Sequence, residues 1–199
     1  MKNITFKDRK INELVKKYGE PTFLKRDEPL FEGLIDSIIS QQLSVKAAGT
    51  IYNRFLELFN IKPHHGFPTP KQILKMDKEK IRKAGISYRK IEYIKDIANA
   101  FDKGLINEEK LKKMKDEEIV VELVKLRGVG KWTAEMILIF NLKRPDVFSL
   151  GDFGLRRAIK ILYGITDEKE ILQLSENWKP NRSIACWYLW QSLDNKPNI

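Results

Sequence analysis

The sequence predicts an all-α fold of about ten short helices. Three observations carry that expectation. Apolar residues recur at intervals of three and four nearly everywhere along the chain. No stretch alternates apolar and polar residues for long enough to suggest a sheet. Helix-starting Ser, Thr, Asp and Asn residues and helix-stopping glycines punctuate the apolar stripes.

The elements follow in order. Ile11, Leu14, Val15 and Tyr18 form one stripe, stopped by Gly19. Leu30, Phe31, Leu34, Ile35, Ile38 and Ile39 form a second, entered through Pro29 at a first helical position. Val45, Ala48, Ile51, Tyr52, Phe55, Leu58 and Phe59 form a third, with Ser44 as N-cap. Residues 60–69 read as a loop from their Pro and Gly content, and the adjacent His64 and His65 sit there as solvated side chains. Thr69-Pro70 restarts a short helix and Asp77 caps another. Ser87 opens a longer one that Gly104 ends. Asn107 and Asp116 start two more, the second running over 116–126. Helices are expected near 131–141, 152–163, 168–176 and 180–193. We treat residues 1–199 as a single domain in two lobes around a cleft, one lobe over 30–115 and the other made of 1–29 with 116–199.

Composition narrows the partner. The 199 residues hold 37 Lys and Arg against 27 Asp and Glu, a net charge of +10, which favours a polyanion. The competing reading of such a surplus is solubility. The single cysteine, Cys186, excludes a disulfide framework and a four-cysteine metal site within this chain, and its apolar surroundings read as core. No apolar run reaches transmembrane length, and the start of the chain lacks a signal-peptide core. The expectation is an intracellular monomer, cytoplasmic and nucleoid-associated or nuclear, with no membrane contact.

Residues 126–152 hold the most informative pattern. Gly128-Val129-Gly130 reads as a turn between two helices, with both glycines free to take positive φ and to let another backbone come close. Val129 would plug the space between the helices. Lys131 and Thr133 fall in the first turn of the next helix, where exposed N–H groups suit a phosphate oxygen. An ordinary helix–Gly–helix connection is the competing reading of these glycines. Some twenty residues on, Asp152 stands at the start of a further helix. A carboxylate there caps the helix, and beside a phosphate-gripping turn it can also do carboxylate chemistry on a nucleotide.

The chain resembles the helix-hairpin-helix DNA glycosylases, and among them the 3-methyladenine DNA glycosylase II type. The likeness rests on Ile38-Ile-Ser-Gln-Gln-Leu-Ser-Val-Lys-Ala-Ala48, the hairpin 126–137, the stretch Asp146–Arg157 and Trp178-Lys-Pro-Asn-Arg-Ser183, and it covers about residues 30–193. The superfamily often carries Gly-Pro-Asp ahead of its catalytic helix. Here Leu150-Gly151-Asp152 keeps the aspartate without the proline. Larger relatives add an N-terminal β-rich lobe for which this chain is too short.

The resemblance implies hydrolysis of the N-glycosidic bond of alkylated purines in duplex DNA, with Asp152 as the catalytic carboxylate. It places Trp132 and Trp190 as aromatic walls of a base pocket, with Met136 one helical turn after Trp132. Indole faces attract a cationic alkylpurine. It assigns phosphate contacts to Gly128, Val129, Gly130, Lys131 and Thr133, and makes the loop Gln41-Gln42-Leu43-Ser44 the source of a side chain that fills the gap left by a flipped base, Gln42 or Leu43, with Gln42 favoured by position. Lyase relatives place a lysine two residues after the second hairpin glycine. Trp132 stands there, and Lys131 is rotated from it by about 100° on a helix, so no lyase step is expected. Neither a metal nor a cofactor is required, although a structural monovalent or divalent cation at the hairpin turn is allowed. Trp187 and Tyr188 are expected in the core and Arg182 in a salt bridge. The alternatives are a glycosylase for hypoxanthine, ethenoadenine or an oxidised base, and a noncatalytic hairpin module that only binds DNA.

Overall fold

The computed structural model describes residues 4–25, 28–63 and 65–193. His64 therefore lies outside the described residues. The order is α1 (Arg9–Tyr18), α2 (Leu30–Ser40), α3 (Val45–Glu57), α4 (Pro70–Lys75), α5 (Lys78–Lys83), α6 (Tyr88–Asp102), α7 (Glu108–Leu111), α8 (Asp116–Leu123), α9 (Lys131–Phe140), α10 (Phe153–Tyr163), α11 (Glu168–Ser175) and α12 (Arg182–Gln191). Two short 3₁₀ turns, Thr22–Lys25 and Glu176–Trp178, complete the regular structure, and no strand occurs among the described residues.

Side-chain caps start most helices, at the expected Ser44, Thr69, Asp77, Ser87, Asn107 and Asp152 and also at Asp8 and Asp167. Each accepts from backbone N–H groups of the helix it precedes. Most boundaries fall within two residues of expectation, and one differs by three. The helix expected over 116–126 ends at Leu123, and Val124 to Gly128 run on as tight turns. Leu126 and Val129 are both buried there, and Val129 N donates to Leu126 O at 3.1 Å, so the chain tightens toward the core instead of continuing the helix. Val45 also departs from its stripe, because it is exposed.

The chain divides into two compact units, Glu28–Ile137 and Met1–Asp27 with Leu138–Ile199. The second boundary falls inside α9 and not between residues 115 and 116. The reason lies in the contacts of the hairpin. A Cβ at Gly128 would stand 2.3 Å from Cδ2 of Tyr93 on α6, so the turn lies directly on that ring. Arg127 N also reaches Oδ2 of Asp96 on the same helix.

In the unit Glu28–Ile137, α2 is the buried centre. Leu30, Leu34, Ile35, Ile38 and Ile39 have no exposed surface. Ile91, Ile94 and Ile97 of α6, Phe55 of α3, Ile73 of α4 and Ile119 of α8 are buried in the same unit. In the other unit, α12 is buried from Ser183 to Trp190, with Leu155, Ala158 and Ile159 of α10 and Ile11 and Leu14 of α1. Asp8 ties that unit together: its Oδ1 caps α1, while its Oδ2 accepts from Tyr163 Oη at 2.8 Å and Trp178 Nε1 at 2.9 Å. Trp187 and Tyr188 are core residues, and Cys186 is buried. No helix among the described residues is long and apolar enough to cross a membrane.

Candidate active site and nucleic-acid interface

The hairpin has a defined local cause. Gly128 takes φ +86°, which an L side chain resists, and it also has no room for a Cβ against Tyr93. Gly130 is different. It does not take a positive φ, and a Cβ built there meets nothing within 4 Å. Gly130 thus leaves open space on the outside of the turn, next to the first N–H groups of α9. The first intrahelical bond of α9 runs from Ala134 N to Gly130 O at 3.0 Å, so the N–H groups before Ala134 point out of the helix end. Lys131 extends into solvent, 3.8 Å from Glu135 Oε1. Thr133 is 4 % exposed, so its side chain packs inward and is withdrawn from a phosphate. Trp132 is 45 % exposed and Met136, one turn later, is half-buried. Both therefore keep surface outside the core.

The carbonyls of the turn are largely engaged within the chain. Leu126 O accepts from Val129 N, Gly128 O from Gln41 Nε2 at 2.9 Å, and Gly130 O from Ala134 N. Among the described residues no group of three or more His, Cys, Asp or Glu could hold a metal ion.

The loop after α2 sorts its four residues. Gln41 is not a free contact for DNA: its amide reaches back to Gly128 O. Gln42 is exposed and takes φ +59°, at the tip of the loop. Leu43 is half-buried, and Ser44 caps α3 through Ala47 N at 3.3 Å. Of the two candidate plugs, Gln42 is the one that projects.

In the other unit, Asp152 is 7 % exposed and stands at the N-cap of α10. Its Oδ1 accepts from Leu155 N at 2.7 Å and from Trp190 Nε1 at 2.9 Å. The segment that delivers it is held from α12. Arg182 grips the Asp146 carboxylate through Nε at 2.9 Å and Nη2 at 3.0 Å. Ser183 Oγ donates to Arg144 O and accepts from Val147 N. A two-bond guanidinium–carboxylate pair fixes direction as well as distance, so these contacts pin residues 144–147 to the start of α12. Arg182 is in the salt bridge its segment predicted.

Trp190 requires a correction. As a pocket wall it should offer an indole face, but it is 2 % exposed. Its ring packs on Phe140 at a centroid distance of 5.6 Å, and its N–H is spent on Asp152. The physical reason is that a buried indole needs an acceptor and a buried carboxylate needs donors. Trp190 orients the carboxylate in this structure. Two residues not singled out in the sequence matter here. Gly154 leaves room for that contact, since a Cβ there would stand 3.1 Å from both Asp152 Oδ1 and Trp190 Cδ1. Phe153, next to Asp152, is 80 % exposed. Gly154 carries no sequence signal beyond being a helical glycine. Phe153 could have been found as an apolar residue on the polar side of the α10 stripe.

Comparison with known proteins agrees with this picture. Residues 35–180 match the HhH-GPD superfamily base excision DNA repair protein family. The chain is 38 % identical over 188 residues to a Schizosaccharomyces pombe protein named DNA-3-methyladenine glycosylase 1, covering 92 % of this chain and 81 % of the relative. Among solved structures, a DNA-3-methyladenine glycosidase from Bacillus halodurans superposes with a TM-score of 0.79 at 36 % identity, over 92 % of this chain and 84 % of that one. A 3-methyladenine DNA glycosylase from S. pombe in complex with abasic DNA gives 0.79 at 38 % identity, over 92 % and 91 %.

Proposed function

Because the chain belongs to the HhH-GPD superfamily of base excision DNA repair proteins, we propose that it is a monofunctional DNA glycosylase that excises alkylated purines of the 3-methyladenine and 7-methylguanine type from duplex DNA. The observation that carries the reading is Asp152, a buried carboxylate held by two donors on one oxygen at a helix start. Cleaving the glycosidic bond builds positive charge on the sugar. A fixed anion stabilises that charge without reorganising as the reaction proceeds. A base that already carries positive charge leaves without protonation, so a single acid is sufficient. Water is the attacking group, because Trp132 stands where a lyase lysine would and Lys131 pairs with Glu135 along α9. The product is then an intact abasic site.

The unit Glu28–Ile137 supplies the grip on DNA. Open space at Gly130 and the outward N–H groups of α9 suit a backbone phosphate, Gln42 fills the vacated stack, and Trp132 with Met136 offers a surface for a planar ring. The exposed ring of Phe153 offers another such surface in its own unit. The protein acts as a monomer inside the cell without a cofactor.

The test is to incubate the protein with methylated duplex DNA in the presence of a chelator and to identify the released base by mass. Release of 3-methyladenine or 7-methylguanine supports the reading. Release of hypoxanthine or an oxidised base alone moves the specificity to another lesion. Binding with no release leaves a hairpin module that only holds DNA.

A further inference from the structure

The gap-filling loop between α2 and α3 borders open space. A cavity of about 230 Å³ lies against it, lined by Gln42, Leu43, Ile51, Ile86, Ser87 and Lys90 among others. Gln42 meanwhile holds a left-handed backbone that a side chain disfavours. A loop with space beside it and an unfavourable conformation at its tip gains most from polar contacts. The structure shows what they are. Lys90 of α6 donates through Nζ to the carbonyls of Ile39 at 2.8 Å and Gln41 at 2.6 Å. These carbonyls lie at the C-terminal end of α2, where helix carbonyls lack partners and a cation is favoured. Burial lowers the Lys90 pKa from its ordinary value. Gln41, whose carbonyl Lys90 holds, sends its own amide to Gly128 O. One turn along α6 from Lys90, the Tyr93 ring packs against Gly128, with the guanidinium groups of Arg89 and Arg127 5.8 and 5.7 Å from its centroid.

Resting on the glycosylase reading, we propose that Lys90 is a positioning residue. It locks the gap-filling loop to α6 and, through Gln41, to the phosphate-gripping turn, so that gripping the backbone and filling the stack occur in one fixed register. Lys90 touches no reacting atom. Its work is done when a paired base is extruded, because that step requires the plug to be in place. It matters little when the lesion is already unpaired, for which extrusion costs least.

The test compares Lys90→Met, which keeps the stem and loses the donors, with Lys90→Arg, which keeps donors. Single-turnover excision is measured for one lesion in two settings, paired in a duplex and in a one-nucleotide bulge. The expected result for Lys90→Met is a loss of tenfold or more on the paired lesion and less than threefold on the bulge, with most of the loss recovered in Lys90→Arg. Amide hydrogen exchange is followed in parallel. It should accelerate in residues 40–44 and 126–130 of Lys90→Met and stay at the parent rate in Lys90→Arg. Equal losses on the two substrates, no loss on either, or unchanged exchange overturns the proposal. If the parent releases no base at all, the glycosylase reading fails and exchange alone decides the clamp. If Lys90→Met does not fold, Gln41→Met carries the test, since it cuts only the strut to Gly128. Faster exchange in 126–130 supports the coupling and unchanged exchange overturns it.

Discussion

Trp190→Phe separates two roles for the same indole. The substitution keeps an aromatic ring against Phe140 and removes the Nε1–H that lies 2.9 Å from Asp152 Oδ1. Of the two bonds to that oxygen, only the one from Leu155 N is kept. A hydrogen bond to a charged group contributes about 1.5–3 kcal/mol. If that bond holds the carboxylate in the geometry the sugar cation needs, excision should slow by roughly tenfold to 150-fold. The loss should be the same for a cationic lesion, 7-methylguanine, and a neutral one, hypoxanthine, because the buried indole offers neither of them its face. The assay is single-turnover release of each base by a variant shown to be folded. Phe140→Leu is the control for packing: it removes the ring contact and leaves the hydrogen bond, so it should lower thermal stability with little change in rate. The reasoning is refuted if Trp190→Phe excises at the parent rate. It is refuted equally if the variant loses the cationic lesion selectively, for cation–π attraction of about 0.5–2 kcal/mol would then be at work.

Three further substitutions probe the frame around the site. Gly128→Ala should cost about 2–4 kcal/mol of stability, from overpacking against Tyr93 and an unfavourable positive φ, and denaturant unfolding measures it. Gly130→Val meets only open space and should leave unfolding within about 0.5 kcal/mol of the parent while weakening binding to all duplexes alike. Unchanged affinity would make the turn purely structural. Asp36 has its pKa raised by burial, with Ser40 donating to it at 3.2 Å, so its ionised form costs the folded state stability at neutral pH. That cost disappears as the pH falls and the group protonates in both states. Asp36→Asn should therefore raise the unfolding midpoint at pH 7 and lose that advantage as the pH drops into the carboxylate range. A midpoint difference that does not depend on pH contradicts the sign.

Much of this was legible in the sequence because it rests on local rules. Apolar spacing placed the helices and short polar residues placed their starts, including Asp152 as a cap. The hairpin glycines and the Arg182 salt bridge were legible from motif and position. What was not legible depends on tertiary contact. Leu126 looks helical until the turn draws it into the core. Gly128 and Gly130 look alike, yet Tyr93 makes one a packing requirement and leaves the other facing open space. Thr133 and Trp190 have the residue types of a binding surface and are buried. Lys90 is one lysine among many, and only the fold brings it to the end of α2.

Asp152→Asn tests the central claim most directly. Asparagine keeps an oxygen to accept from Leu155 N and Trp190 Nε1, so the cap and the fold should survive. The negative charge is lost. The account predicts unchanged DNA affinity, loss of most single-turnover base release, and, for the parent, an intact abasic product with no borohydride-trapped adduct. A variant that releases base within about threefold of the parent rate, roughly 0.65 kcal/mol of barrier, would contradict the role given to this carboxylate.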